Sequence, residues 1–551
     1  MNEKIIYAEQ FGVNISNYDN YEALQACLDY CRGNGVQKLI INPGVYKFHN
    51  QKTIAIKDMK DFVLEADDVE FTYINTTVFI KIVNCENVAI KGLKADWCWE
   101  EDRLASVVKS HGISSDGTYV EFEAVTPINL NQPWTTFNEL DPDTMSPGIE
   151  DGMEYHPEYP NGKDCFDRKE KIGDVYRCYT DLSDIQGGLF DKDKLYIVRH
   201  HMYDGTFCII ENTKNALIEN VSLYGGPGMG FIISGHSSGI VFKNLLVTKR
   251  NNNPISLIAD GVHSNESDGN IVFDGCEFAF LGDDAINIHD RIHYGITKIG
   301  KFIIEFPIDI KVDNGDVLEF RNSDLSPTGF SAKVDNCYIK NGVYRIEVDS
   351  PIPESISEKS IIFNKSYSSN GYVIRNCKFH DSRARGVLVQ AGDGLVENCT
   401  FEHLQGAAIQ INAGVGKRWS EGTGVDGLII RNNIIKNCDI SDWDRGVIYM
   451  STYMPEGVLV KKSCLTSTIG DSGSYCRTKY PIFKNIVIEN NTVSEFPRRS
   501  VILTSFENVT LRNNKFYNLL PRKKENPERG KIYVDLGTGF VEENNEYILE
   551  I

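Results

Sequence analysis

The chain has 551 residues, with 77 Asp and Glu against 57 Lys and Arg and a formal charge of −20. At ordinary domain sizes this length would fill three or four separate cores, unless the chain is a repeat array. A surface so acidic repels phosphate backbones and anionic membranes, so nucleic acid and lipid are not expected partners. No apolar run approaches the roughly 18–20 residues of a membrane span.

The N-terminus, Met1 to Tyr7, has neither an apolar h-region nor a cleavage pattern. The expectation is a leaderless chain in a reduced, cytoplasmic setting, or one made without its leader. A helix is predicted across Asn20–Arg32, then a strand across Val36–Asn42 and a turn at Pro43-Gly44. This is the pattern of a helical cap closing the open end of a solenoid.

One phrase then recurs: two apolar residues, a polar one, Asn or Gly, a small residue, a polar one and an apolar one. It reads Leu217-Ile218-Glu219-Asn220-Val221-Ser222-Leu223, then Val241-Phe242-Lys243-Asn244-Leu245, then Val272-Phe273-Asp274-Gly275-Cys276-Glu277-Phe278. Later copies centre on Asn376, Asn398, Asn432, Asn490, Asn513 and Asn544. Adjacent copies are 22 to 24 residues apart, as in Asn376 to Asn398 and Asn220 to Asn244. Short alternating strands with an Asn at each bend, at this period, predict a parallel β-helix. The bend Asn tolerates the left-handed backbone region and can bond to its counterpart one rung away. Parallel-crossover chirality makes the helix right-handed. The cysteines beside these bends, such as Cys377 and Cys399, read as an interior row of small residues and not as a disulfide framework.

Two stretches break the period. From Leu104 to Val198, Asp116-Gly117 suits a hairpin and a Gly/Pro/Asp-rich segment follows Asn131. From Lys301 to Asn364, alternating strands carry turns at Asn314-Gly315 and Asn341-Gly342. The expected organisation is a cap and first rungs over 1–103, a β-rich insertion over 104–198 and a central β-helix over 199–295. A barrel-like antiparallel insertion over 296–368 and a C-terminal β-helix over 369–551 complete it.

Asp260 precedes Asp283 and Asp284 by one rung, so the three carboxylates are expected on one face of neighbouring rungs. Neighbouring residues in a regular strand point to opposite faces, so Gly282-Asp283-Asp284 must lie at a bend for both acids to reach one cleft. Such a trio suits inverting glycoside hydrolysis: one acid protonates the leaving oxygen and the others deprotonate water. A calcium site and plain surface acidity are the two other readings of the same residues. Asn287, His289 and Asp290 follow the pair, and His263 lies close to Asp260. Arg383, Arg385, Gln390, Gln410, Asn412, Trp419 and Glu421 come on later rungs. Among these, Asn287, His289, Arg383, Arg385, Gln410, Trp419 and Glu421 are the candidate substrate-binding residues. Trp419, Trp443, Trp97 and Trp99 are candidate platforms for a sugar's C–H face. No residue spacing suggests a resident metal or another cofactor.

Asp96-Trp97-Cys98-Trp99 with Glu100 to Ser106, Phe280 to Asp290, Ser382-Arg383-Ala384-Arg385-Gly386 and Trp419-Ser420-Glu421-Gly422 together resemble glycoside hydrolase family 110. These are the bacterial exo-α-1,3-galactosidases, within the pectin-hydrolase-like β-helix superfamily. The resemblance implies that Asp283 is the general acid, that Asp260 and Asp284 hold the attacking water, and that the substrate is terminal α-1,3-galactose on blood-group B type or linear glycans. The alternatives are a polygalacturonase-like hydrolase, a calcium-dependent lyase, or a non-catalytic glycan-binding solenoid. A glycan is the expected partner, and a homodimer is compatible with the sequence.

Overall fold

The computed structural model describes residues 4–157, 161–183, 185, 187–306, 311–415, 420–441, 446–453, 477–518 and 532–549. Three parallel sheets run along the molecule, with 13, 12 and 11 rung strands among the described residues, and Ser420–Glu421 adds an antiparallel strand beside Ile409–Val415 in the last. Each rung adds one strand to each sheet in turn, as in Val272–Asp274, Glu277–Ala279 and Ile286–His289. The chain is a right-handed parallel β-helix.

The bends work as their asparagines suggest. Asn220, Asn244, Asn376, Asn398, Asn432, Asn490, Asn513 and Asn544 all have φ between 51° and 57°. Asn244 Nδ2 donates to Asn220 Oδ1 at 2.9 Å, and Glu219 pairs with Lys243 in the ladder. In the C-terminal rungs the residue after the bend forms a second, interior ladder. Asn433 donates its backbone N–H and Nδ2 to Asn491 Oδ1, and Asn491 does the same to Asn514. On other rungs that position holds the buried Cys276, Cys377 and Cys399. The interior is filled by like residues stacking at each repeat. Phe379 lies between Phe278 and Phe401, with ring centroids 5.5 and 4.7 Å away. Each such offset pair adds about 0.5–1.5 kcal/mol beyond area burial.

Helix α1, Tyr21–Asn34, caps the N-terminal end. Leu24, Cys27, Leu28 and Cys31 repeat at helical spacing and are buried, so one face closes the first rung while the other meets water. Gly35, at φ 57°, ends the helix, and its N–H is satisfied by the Cys31 carbonyl.

The first insertion is an antiparallel sheet that begins at Ala105–Ile113 and ends at Leu195–Arg199. Its own core holds Phe122, Trp134, Phe137, Phe190 and Tyr196. Asp116-Gly117 turns the chain between Ala105–Ile113 and Tyr119–Ala124. The second insertion spans Ile292–Tyr294 to Ile361–Asn364. Its 14-residue strand Pro327–Lys340 pairs with Val317–Arg321 along its first half and with Val343–Val348 along its second. The sheet therefore folds around one core containing Phe306, Leu318, Phe320 and Ile346. Asn341 and Gly342 both have positive φ and close a two-residue hairpin. Asn314-Gly315 instead precedes Val317–Arg321 without joining two paired neighbours.

Candidate active site

The site forms where the second sheet turns into the third on two successive rungs, with the next rung closing it. Gly230 N–H bonds to the Asp260 carbonyl, Gly261 N–H to that of Asp284, and Ala285 N–H to that of Arg385. Asp260, Asp284 and Arg385 are therefore stacked in register. Asp283 is one residue earlier, and a bend redirects it into the same space. Gly282 is needed there for packing and not for unusual dihedrals: a Cβ would sit 2.2 Å from the Ile258 carbonyl oxygen. One carboxylate oxygen from each of Asp260, Asp283 and Asp284 lies within 4.8 Å of the others.

The three acids sit in different surroundings. Asp260 and Asp284 side chains are each 6% exposed, and Asp283 is 14% exposed. Burial pushes Asp260 well above the ordinary carboxylate range, and the charges of Asp283 and Glu421 push the same way. Burial also raises Asp284 well above that range; Arg385, 3.6 Å away, offsets part of it. Asp283 accepts a hydrogen bond from the Tyr203 hydroxyl and has Arg383 Nη1 at 3.8 Å. Crowding and burial thus favour the protonated form of the two buried acids, as they do for like-charged buried carboxylates.

Beside the trio, alternate residues of the third sheet face outward. His263, Asn287, Leu388 and Gln410 form one column across the rungs. His263 Nδ1 is 2.7 Å from Asp260 Oδ2, and its Nε2 is 2.9 Å from His289 Nε2. His289 in turn approaches Glu421 Oε1 at 3.8 Å. Burial lowers the pKa of both histidines, and Asp260, His263 and His289 form one chain of hydrogen-bond contacts. Gln390 Nε2 donates to Glu421 Oε2 at 3.0 Å and reaches Asn287 Oδ1 at 3.4 Å. Among the described residues, Gln390 Oε1 and Asn412 Oδ1 are buried with no hydrogen-bond partner. They leave acceptors that a sugar hydroxyl could use.

The predicted residues Asp260, Asp283, Asp284, Asn287, His289, Arg383, Arg385, Gln410 and Glu421 are assigned to this one region. Arg383 is also an anchor: Nε and Nη2 grip both oxygens of Glu154, at 2.9 and 3.3 Å. Trp419 and Trp443 lie outside the described residues. Trp97 and Trp99 are buried, so they are not platforms. Trp97 Nε1 donates to the Asp102 carbonyl, and its ring packs on Tyr73 and His201. Three groups were not anticipated. Arg199 sends Nη1 to the Ile258 and Gly282 carbonyls, bridging the two loops that carry the trio. Tyr203 reaches Asp283, and Glu154 holds Arg383. All three come from the first insertion or its exit, and no periodicity marks them.

As a metal site the trio is poorly provided. Calcium takes about six to eight oxygen ligands, whereas the nearest partners here besides the three acids are Arg383, Arg385, His263 and the Tyr203 hydroxyl. Cationic neighbours compete with an ion, and they equally suit a carboxylate cluster that moves protons.

The family model described as "Right handed beta helix region" matches residues 308–468 and 360–546. The chain is 25% identical to alpha-1,3-galactosidase B of Bacteroides thetaiotaomicron, covering 93% of this chain and 86% of that one. It is 20% identical to alpha-1,3-galactosidase A of Shewanella woodyi, covering 99% and 91%. Among solved structures, the exopolygalacturonase of Thermotoga maritima aligns at TM-score 0.44 and 11% identity, covering all of this chain and 92% of that one.

Proposed function

We propose that the chain is an inverting exo-glycosidase that removes terminal α-1,3-linked galactose from glycans, of blood-group B type or linear. The observation that carries the reading is the meeting of three carboxylates, two of them buried, beside a column of polar side chains. The relatives named alpha-1,3-galactosidase, aligned over more than nine-tenths of the chain, support the substrate class. In this reading a proton that the crowded cluster favours retaining is passed to Asp283, the most exposed of the trio, which gives it to the leaving oxygen, and Asp260 and Asp284, left as carboxylates, hold and deprotonate the water. Tyr203 and Arg383 orient Asp283. His263 orients Asp260 and can relay its proton towards His289. Asn287, Gln410, Glu421 and the unpartnered oxygens of Gln390 and Asn412 bind hydroxyls.

The carboxylate oxygens approach more closely than the roughly 6.5–9.5 Å between carboxyl groups usual for an inverting pair. The reading has Asp260 and Asp284 share one water, so the stereochemistry is the sharpest test. With an α-1,3-galactosyl disaccharide followed by proton NMR, β-galactose should appear first and equilibrate later. Release of α-galactose first overturns the inverting assignment, and release of no galactose overturns the substrate.

A further inference from the structure

Among the described residues, one other trio of ligating side chains converges: His49, Cys98 and Glu101. It lies towards the capped end of the solenoid, at the same corner between the second and third sheets. Phe48 pairs with Tyr73 and Tyr73 with Trp97, so His49 and Cys98 leave the second sheet in the same register, two rungs apart. The Cys98 N–H bonds to the Tyr73 carbonyl, which fixes the thiol's position. A tight turn follows: the Glu101 and Asp102 N–H groups both bond back to the Cys98 carbonyl at 3.1 Å. That turn returns the Glu101 carboxylate towards the thiol. One donor atom from each of the three residues then lies within 4.8 Å of the others.

The imidazole supplies a second, independent observation. The His49 side chain is only 2% exposed and packs edge-on with the Tyr18 ring, and among the described residues neither ring nitrogen has a hydrogen-bond partner. Nδ1 is 3.3 Å from Glu101 Oε1 without hydrogen-bond alignment. Even a protonated His49 paired with Glu101 leaves Nε2 unanswered. Buried polar groups are rarely left so, and a group that is deserves a ligand or another explanation.

We propose that His49, Cys98 and Glu101 form a binding site for a zinc-class divalent cation, with a water in the fourth position. One nitrogen, one thiolate and one carboxylate are the donor types that such ions take, at about 2.0–2.3 Å each. Tetrahedral donors at those lengths are about 3.4 Å apart, so the trio must draw in by roughly an ångström. Glu101 is exposed and can supply that movement. The bound ion would staple the first rung to the segment Cys98–Arg103, which leads into the first insertion. The far end of that insertion delivers Arg199 and Tyr203 to the carboxylate trio. The site is distinct from Asp260, Asp283 and Asp284.

The test is a cobalt titration of the full chain after dialysis against a chelator. One equivalent of Co(II) should produce a thiolate-to-cobalt charge-transfer band that zinc then removes. The band should vanish in Cys98→Ser. His49→Ala should weaken Co(II) binding by at least about tenfold, the lower end of what loss of even an outer-shell partner costs. Glu101→Gln, a change at an exposed position, keeps the test open if a buried variant fails to fold. Cobalt bound at the carboxylate trio gives no thiolate band, so that outcome is distinguishable and counts against the proposal. The proposal is overturned if the parent shows no such band, if the band survives in Cys98→Ser through another cysteine, or if neither His49→Ala nor Glu101→Gln weakens binding.

Discussion

Replacing Asp260 by Asn should abolish most activity yet leave the protein more resistant to heat at neutral and alkaline pH. Asp260 is buried, and its ionisation is opposed by desolvation and by the charges of Asp283 and Glu421. The three carboxylate oxygens lie within 4.8 Å of one another, and two unit charges at that distance repel by about 3.5 kcal/mol at an effective dielectric of about 20. The cluster avoids part of that repulsion by keeping a proton instead of ionising fully. The amide retains a donor for His263 Nδ1, which lies 2.7 Å from Asp260 Oδ2, so the substitution removes the charge and little else. The sign follows from linkage: an aspartate whose folded pKa is raised is neutral in both states below about pH 4, where it has no effect. Above that pH the unfolded chain releases the proton and the folded chain keeps it, so the parent loses stability as pH rises towards the folded pKa. The amide of the variant does not titrate. Thermal melts of Asp260→Asn and parent should therefore coincide near pH 4 and separate by pH 8, with the variant ahead by up to about 3 kcal/mol. Hydrolysis should fall about 10²–10⁴-fold. A variant that melts below the parent by the same margin at both pH values refutes the reasoning. A calcium-dependent rise in the parent's melting point, absent in the variant, would replace the acid–base reading with an ion site.

Asp283→Asn should lose far more activity on a disaccharide than on an activated aryl galactoside, since a general acid matters most for a poor leaving group. If Asp284→Asn shows that dependence instead, the acid is the buried partner. Gly282→Ala should cost nearly all turnover in kinetic assays, because its Cβ would press on the Ile258 carbonyl at 2.2 Å and displace the bend that aims Asp283; an active Ala variant means the bend is not so constrained. Asn491→Ala should lower stability by about 2–4 kcal/mol in denaturant melts. It strips partners from Asn433, Asn514 and the Ile430 carbonyl together; a loss under about 1 kcal/mol would mean water replaces the ladder.

Much of this architecture is written in local spacing. The left-handed bend at each Asn, the stacked interior and the one-rung offset between Asp260 and the Asp283–Asp284 pair all follow from a period in the low twenties. A parallel ladder converts sequence separation directly into height. In the structure the same ladder stacks His263 on Asn287, 24 residues on, whereas the pairing of Asn287 with Leu388 skips the whole second insertion. What the period cannot carry is anything contributed from outside the rungs. Arg199, Tyr203 and Glu154 reach the site across separations of 83, 80 and 229 residues, and only the folding of the first insertion against the solenoid decides which of its side chains arrive. Nor does the sequence say whether an aromatic residue beside a bend faces substrate or core. Trp97 continues the second-sheet strand Lys94–Trp97 and packs against Tyr73 on the rung below, so its ring is enclosed by neighbours that the period brings close but whose facing only the three-dimensional packing determines.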